Sequence, residues 1–300
     1  MHFPSIFLFA SITAARVLLR QESGCTNPVK RVEFRSLEIA ARKQYTDAVK
    51  CLATKPSMLG LNTTLYDDFT YVHTHLNSEI HYVAQFLPWH RYFVHLYETQ
   101  INNCGYTGPM TLDVADVPNS EIFDADHGFG GNKTETTTDA HSRTWKCLTD
   151  GPFKDIRPAY IMTEYAPHCL SRDFFDGDTR PGTMDSSAYT PAVLADINTK
   201  PTFVEFELQL ENIPHNSIYG AIDRLWWMWQ QGNPETRNVE YVGIREITPG
   251  IRGRPLLPGE KALIDPPAAL ADIMPFMKLA ADLPVAAVMT TESDTLCYTY

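Results

Sequence analysis

Three hundred residues with a hydrophobic fraction of 44% suffice for one large domain or two small ones, with a sizeable core. A formal charge of -11 and a pI near 5.3 argue against a nucleic-acid partner, because neutralising phosphates takes clustered Lys and Arg. No apolar run approaches the length of a membrane span.

The N-terminus differs in kind from the rest. Phe3 to Ile12 form a short apolar core, without a preceding Lys or Arg, and Thr13-Ala14-Ala15 supply the small side chains of a cleavage site. The pattern is that of a secretory signal peptide over residues 1–15, which leaves 16–300 as one mature, secreted domain. Six cysteines (Cys25, Cys51, Cys104, Cys147, Cys169 and Cys297) are even in number and widely spread, as in disulfide-bonded proteins of oxidising compartments. Their spacing does not choose among the possible pairings. Asn62-Thr63-Thr64 and Asn132-Lys133-Thr134 are glycosylation acceptors.

The first helical pattern runs from Leu37 through Ala40, Ala41, Tyr45, Ala48 and Val49 to Leu52, with Ser36 as the expected cap and Pro56 as the stop. Thr64 to Leu76 reads as a second helix, opened by a Thr64/Asp67 capping box. Phe69, Val72, His73 and Leu76 share one face, so His73 points inward, whereas His75 lies off that stripe. Pro88 suits the first turn of a third helix, apolar nearly all round from Trp89 to Ile101. Such a helix is buried, and His90 with it. A buried imidazole needs a partner for its nitrogens, and a metal supplies one. His73, His81 and His90, eight and nine residues apart, suit copper, zinc, iron or nickel. His95, on the same helix, reads as an ordinary packed side chain.

Residues 105–200 are loop-rich with no long periodic segment, and His127, His141 and His168 read as surface histidines. Thr202 to Asn212 is a helix with Phe203, Phe206 and Leu210 inward. Ile222, Leu225, Trp226 and Trp229 mark another, stopped by Gly232-Asn233-Pro234. The Pro-rich remainder wraps the core.

The wording around the histidines narrows the metal. Phe86-Leu87-Pro88-Trp89-His90-Arg91-Tyr92-Phe93, preceded by Asp67-Asp68-Phe69 and two earlier histidines, resembles the first copper-binding region of the tyrosinase family, in its short fungal form. Arg31-x-Glu33-x-Arg35, Gly128-Phe129-Gly130-Gly131, Asp150-Gly151-Pro152-Phe153, Cys169-Leu170-x-Arg172, Ile222-Asp223-Arg224-Leu225-Trp226-Trp227 and Tyr298-x-Tyr300 are similar to further phrases of that family. The resemblance implies a mainly α fold, a four-helix bundle around a copper centre with long loops outside. It implies two copper ions, each held by three histidines. The expected reaction is oxidation of a small phenol or catechol, or of a tyrosine in a peptide or secondary metabolite, by dioxygen. By resemblance His73, His81 and His90 match the ligands of the first copper, and His215 the first ligand of the second. Glu211 matches a glutamate that orients a water, and Asn216 a position associated with deprotonating monophenols.

The chain departs from that pattern in its second copper region. Tyr219 stands where relatives carry a second histidine, and Gly220 joins Ala221 directly where they carry a segment ending in a His-His pair. A smaller gap follows Thr111, and Glu79 replaces a cysteine that bonds to the second ligand in some relatives. Two accounts stand open: coding segments missing from the translation of a complete enzyme, or a secreted metal-binding descendant with one full site. Oxygen carriage, as in haemocyanins, is a third reading that fits the short form less well.

Overall fold

Phe34–Ser36 make one tight 3-10 turn before helix α1, Ile39–Leu52. Ser36 does not cap that helix: its hydroxyl donates to the Glu33 carbonyl at 2.6 Å, and α1 begins two residues later than expected, after Glu38. The turn is held instead by Arg42, which donates to the carbonyls of Arg35 (2.7 Å) and Leu37 (2.9 Å). The computed structural model describes residues 24–109, 111–112, 120–131, 134–139, 141–172, 187–215, 222–245 and 267–300. Residues 1–15, expected to be a signal peptide, and Asn132, Asn216, Tyr219 and the Gly220–Ala221 junction lie outside the described residues.

Helix α2, Leu65–His75, opens as expected, with the Asp67 carboxylate accepting the backbone N–H (3.1 Å) and the hydroxyl (2.6 Å) of Thr64. One turn of helix, α3 (Asn77–Ile80), leads by a bent link into α4, Phe86–Asn103. All-round burial of α4 holds only from Phe86 to Arg91 and again at Ile101. Tyr92 to Tyr97 are half-buried, because this part of the helix lies along the rim of the core, with Phe93 stacked on Trp89 and Tyr92 edge-on to Phe276.

Helix α5, Pro191–Asn198, falls in the region expected to be loop. Thr190 accepts the Val193 N–H and Pro191 fills the first helical position, a start signal that eight residues of weak periodicity obscure. Helix α6, Phe203–Leu210, buries Phe203, Phe206 and Leu210 completely and runs on as a π-turn, Glu211–His215. Pro214 lies inside that turn and has no N–H for an α-type bond, which favours the wider winding. Helices α7, Ile222–Gln231, and α8, Pro234–Arg237, complete the set.

Strands occur among the described residues as five two-stranded ribbons. β1 (Val29–Lys30) runs parallel to β10 (Tyr298–Thr299), and β2 (Val32–Glu33) parallel to β3 (Thr111–Leu112). β4 (Thr134–Thr138) with β5 (Thr144–Leu148), β6 (Tyr160–Ile161) with β7 (Glu164–Tyr165), and β8 (Ile273–Met274) with β9 (Leu283–Pro284) are antiparallel. The architecture is therefore mainly α, with α2, α4, α6 and α7 forming the bundle and long loops outside it.

Those loops are tied by the phrases that looked unconnected in the sequence. Phe129 stacks on Phe153 at 4.8 Å, and a side chain on Gly151 would run into Gly130, 2.5 Å away. Arg172 donates to the carbonyls of Phe129, Gly130 and Gly131. The cysteines pair as Cys25–Cys297, Cys51–Cys104 and Cys147–Cys169.

At the foot of the bundle sits one carboxylate that four donors reach. Asp223, on α7, accepts from Arg31 (2.8 Å), from Arg91 on α4, and from the hydroxyls of Tyr298 and Tyr300 (2.6 Å). Arg91 also donates to Gln230 Oε1 and to the carbonyls of Val288 and Met289, and lies 3.6 Å over the Trp226 ring. Burial alone would raise the Asp223 pKa; Arg91 and Arg31 outweigh it and hold the carboxyl below its usual range. Replacing Asp223 by Ala strands two buried guanidinium groups and is expected to cost about 3–5 kcal/mol in a urea denaturation series. A loss below about 1 kcal/mol would show that the cluster does not hold the fold.

Candidate metal centre

Three imidazoles meet in the upper half of the bundle. α2 brings His73, the link after α3 brings His81, and the second turn of α4 brings His90, each with one nitrogen within 4.8 Å of those of the other two. His73 Nε2 and His90 Nε2 are 3.2 Å apart. The sequence spacing that suggested a shared metal is thus matched by a shared point in space.

Backbone carbonyls select the tautomers. His90 Nδ1 lies 2.7 Å from the Phe86 carbonyl and His81 Nδ1 3.0 Å from that of Asn77. A carbonyl only accepts, so each Nδ1 carries the proton and each Nε2 presents its lone pair to the common point. His81 Nε2 is buried and has no hydrogen-bond partner among the described residues, a costly arrangement unless an electrophile takes that lone pair. The surroundings are apolar: Trp89 and Phe93 approach the His73 ring, and Phe86 those of His81 and His90.

Burial also decides the charge. It pushes His73 down to about 4, helped by the neighbouring His81 and His215, and pushes His90 and His81 down as well. All three rings are therefore neutral at pH 7, the protonation state that ligates metals. The donor set fits a copper, zinc, iron or nickel ion.

His215, at the end of the π-turn, is 5% exposed, with its ring 5.3 Å from that of His81 and 5.8 Å from that of His90. It stands beside the three-nitrogen group, outside it. Glu211, one turn earlier, is 1% exposed and accepts the backbone N–H of Tyr82 at 2.6 Å. Asn216 lies outside the described residues. His75 turns away, stacked on Tyr71 at 3.8 Å with its Nδ1 on the Tyr71 carbonyl. His95 packs near Glu98 at 3.9 Å. His141 is exposed, whereas His127 and His168 are half-buried, His168 because it stacks on Trp145 at 4.3 Å. Glu79, at the position of the family's bonding cysteine, is exposed. Sequence reasoning missed Tyr82, whose positive φ of 56° no local residue type announces.

Helices that converge neutral imidazoles on a buried point form a group able to hold a metal ion, within a helical bundle. Residues 63–222 match the common central domain of tyrosinase. A tyrosinase-like protein of Diaporthe leptostromiformis is 34% identical over 306 residues, covering 92% of this chain and 74% of that protein. A tyrosinase of Aspergillus flavus is 34% identical over 304 residues, covering 92% and 80%. Both alignments are longer than the stretch of this chain they cover, so these relatives carry residues with no counterpart here. In fold, the chain is similar to a polyphenol oxidase of Thermothelomyces thermophila, with a TM-score of 0.63, 21% identity and coverage of 91% and 88%. The chain belongs to the tyrosinase family, a family of copper proteins.

The depressed histidines have a consequence for stability. Between pH 6.5 and about 4 the unfolded chain binds a proton at residue 73 that the folded chain refuses. The contribution of His73 to the stability of the metal-free protein therefore falls as pH drops through that window and is constant below it. Urea midpoints at pH 7 and pH 5 should differ more for the wild type than for His73→Asn; equal differences would contradict the burial argument.

Proposed function

We propose that the chain is a secreted copper oxidoreductase of the tyrosinase type, oxidising a phenolic ring with dioxygen. The ring is that of a small phenol or catechol, or of a tyrosine in a peptide or secondary metabolite. The observation that carries this reading is the convergence of three neutral imidazoles with His215 alongside. The names of the relatives, tyrosinase and tyrosinase-like protein, support the phenolic substrate. Three disulfides and the N-terminal apolar segment support secretion.

In this reading His73, His81 and His90 hold one copper, and His215 is the first ligand of a second. Imidazole ligands suit both the cuprous and cupric states, so an ion held there would supply the redox chemistry between phenol and dioxygen. The protein's own groups do the remainder. Phe86, Trp89 and Phe93 keep bulk water from the imidazoles, so that their lone pairs stay directed at the metal. Glu211 orients a water that takes the phenol proton, and Asn216, by its place next to His215, assists with monophenols.

A second reading rests on the relatives' extra residues and on Tyr219: a secreted protein that binds one metal at the three-histidine site and oxidises nothing. Copper reconstitution separates the two. With catechol in an oxygen electrode, wild type is expected to consume oxygen, His90→Ala to fall to background, and His215→Ala to keep one copper per chain without oxygen uptake. One copper on wild type, with no uptake, would establish the second reading instead, and none would overturn both.

A further inference from the structure

Between α3 and α4 the chain is buried from His81 to Gln85 with one exception: Tyr82 projects outward, 37% exposed. The cause is a kink. His81 is extended (φ -122°, ψ 145°), and Tyr82 then enters the left-handed region at φ 56°. That conformation turns the Tyr82 ring to solvent while His81 faces the metal point and Val83 and Ala84 enter the core, both at most 1% exposed. A tyrosine adopts it at a cost that Gly or Asn largely escapes. The kink also aims the Tyr82 N–H inward, where a donor needs an acceptor. Glu211 Oε1 provides it at 2.6 Å, across 129 residues of sequence.

We propose that Glu211 is a positioning residue for the metal centre: its buried carboxylate clamps the left-handed turn at Tyr82 and thereby sets the imidazole of His81. His81 is then held from both sides, its ring Nδ1 by the Asn77 carbonyl and its following peptide by Glu211. The π-turn Glu211–His215 carries clamp and fourth histidine together, so the same hydrogen bond ties the His81 link to the segment bearing His215. This role rests on the reading of His73, His81 and His90 as metal ligands. It differs from that of a water-orienting glutamate, because it acts on the ligand through the backbone and needs only an acceptor oxygen, not a charge.

Cobalt(II) titration of the metal-free protein, followed by visible absorption and by chelator competition, tests it without turnover. Glu211→Gln keeps an acceptor oxygen and is expected within threefold of wild-type affinity. Glu211→Ala is expected to bind about 10–100-fold more weakly, the usual loss when a ligand's supporting partner goes. Tyr82→Asn, which eases the left-handed turn, should recover at least threefold of that loss in the Glu211→Ala background. Equal cobalt affinity for wild type and Glu211→Ala overturns the clamp and leaves the three-histidine site standing. A wild type that binds no cobalt overturns the site and the clamp with it. The Tyr82 amide gives an answer that does not depend on how the variants fold. Slow hydrogen exchange in the wild type supports the clamp, and exchange at the unprotected rate overturns it.

Discussion

A carboxylate at the base of the bundle, Asp223, sets the geometry on which the rest depends. Stripping water from Asp223, Arg31 and Arg91 costs several kcal/mol per ion, and mutual attraction offsets this only when nearly every donor finds an oxygen. Asp223 meets that condition by drawing in four segments far apart in sequence: the entry strand through Arg31, α4 through Arg91, its own helix α7, and the C-terminal strand through Tyr298 and Tyr300. Cys25–Cys297 and the parallel β1–β10 ribbon hold two of those segments side by side. Arg31 donates a second time, to Glu98, which binds the entry strand to α4 as well. The cluster therefore fixes an arrangement more than it adds net stability.

The link to the metal centre runs through α4. His90 and Arg91 are adjacent, so they project about 100° apart around the helix axis. With Arg91 committed to Asp223, Gln230 and two carbonyls, the helix cannot rotate without breaking bonds in a dry interior. His90 is thereby aimed before any metal arrives, and the Phe86 carbonyl, one turn earlier, sets its tautomer. His81 receives the same treatment from α3 and, by our inference, from Glu211. Pre-set ligands need little reorganisation on binding, which is how a protein favours one geometry over the many an imidazole could adopt.

Much of this was legible in the chain, and the reason is locality. The α2 capping box, the inward stripe of Phe69, Val72 and His73, and the buried start of α4 follow from spacing within a single helix. What failed or stayed silent depends on partners beyond the window. Ser36 was a fair cap until Arg42 and the Glu33 carbonyl took over the turn. Arg91 is the most buried cation among the described residues, and the carboxylate that makes this possible, Asp223, comes from α7, far away in the sequence. The Tyr82 kink has no Gly or Asn to mark it, since its acceptor lies on another helix. The disulfide pairings likewise follow from which strands and helices become neighbours, as when α1 packs on α4 and Cys51 meets Cys104.

The same division between local and distant separates the three converging imidazoles from a second set, of which the resemblance to the family matches His215 alone on this chain. His73, His81 and His90 come from a contiguous run of helices whose first cap and histidine tautomers are set within residues 64–103. The second set draws on the segment after His215, where six residues separate the π-turn from α7. Shortening the chain at that place leaves both flanking helices with their anchors: α6 through Phe203, Phe206 and Leu210 in the core, α7 through Asp223 and the Trp226 and Trp229 rings. The framework and the first three ligands are thus insulated from the loss, whereas a deletion within α2 to α4 would remove the imidazoles and the helix rotation that aims them together. Where the ligands of a centre are supplied by independent pieces of chain, the fold can accept a change in one piece without disturbing the imidazoles that the other piece holds.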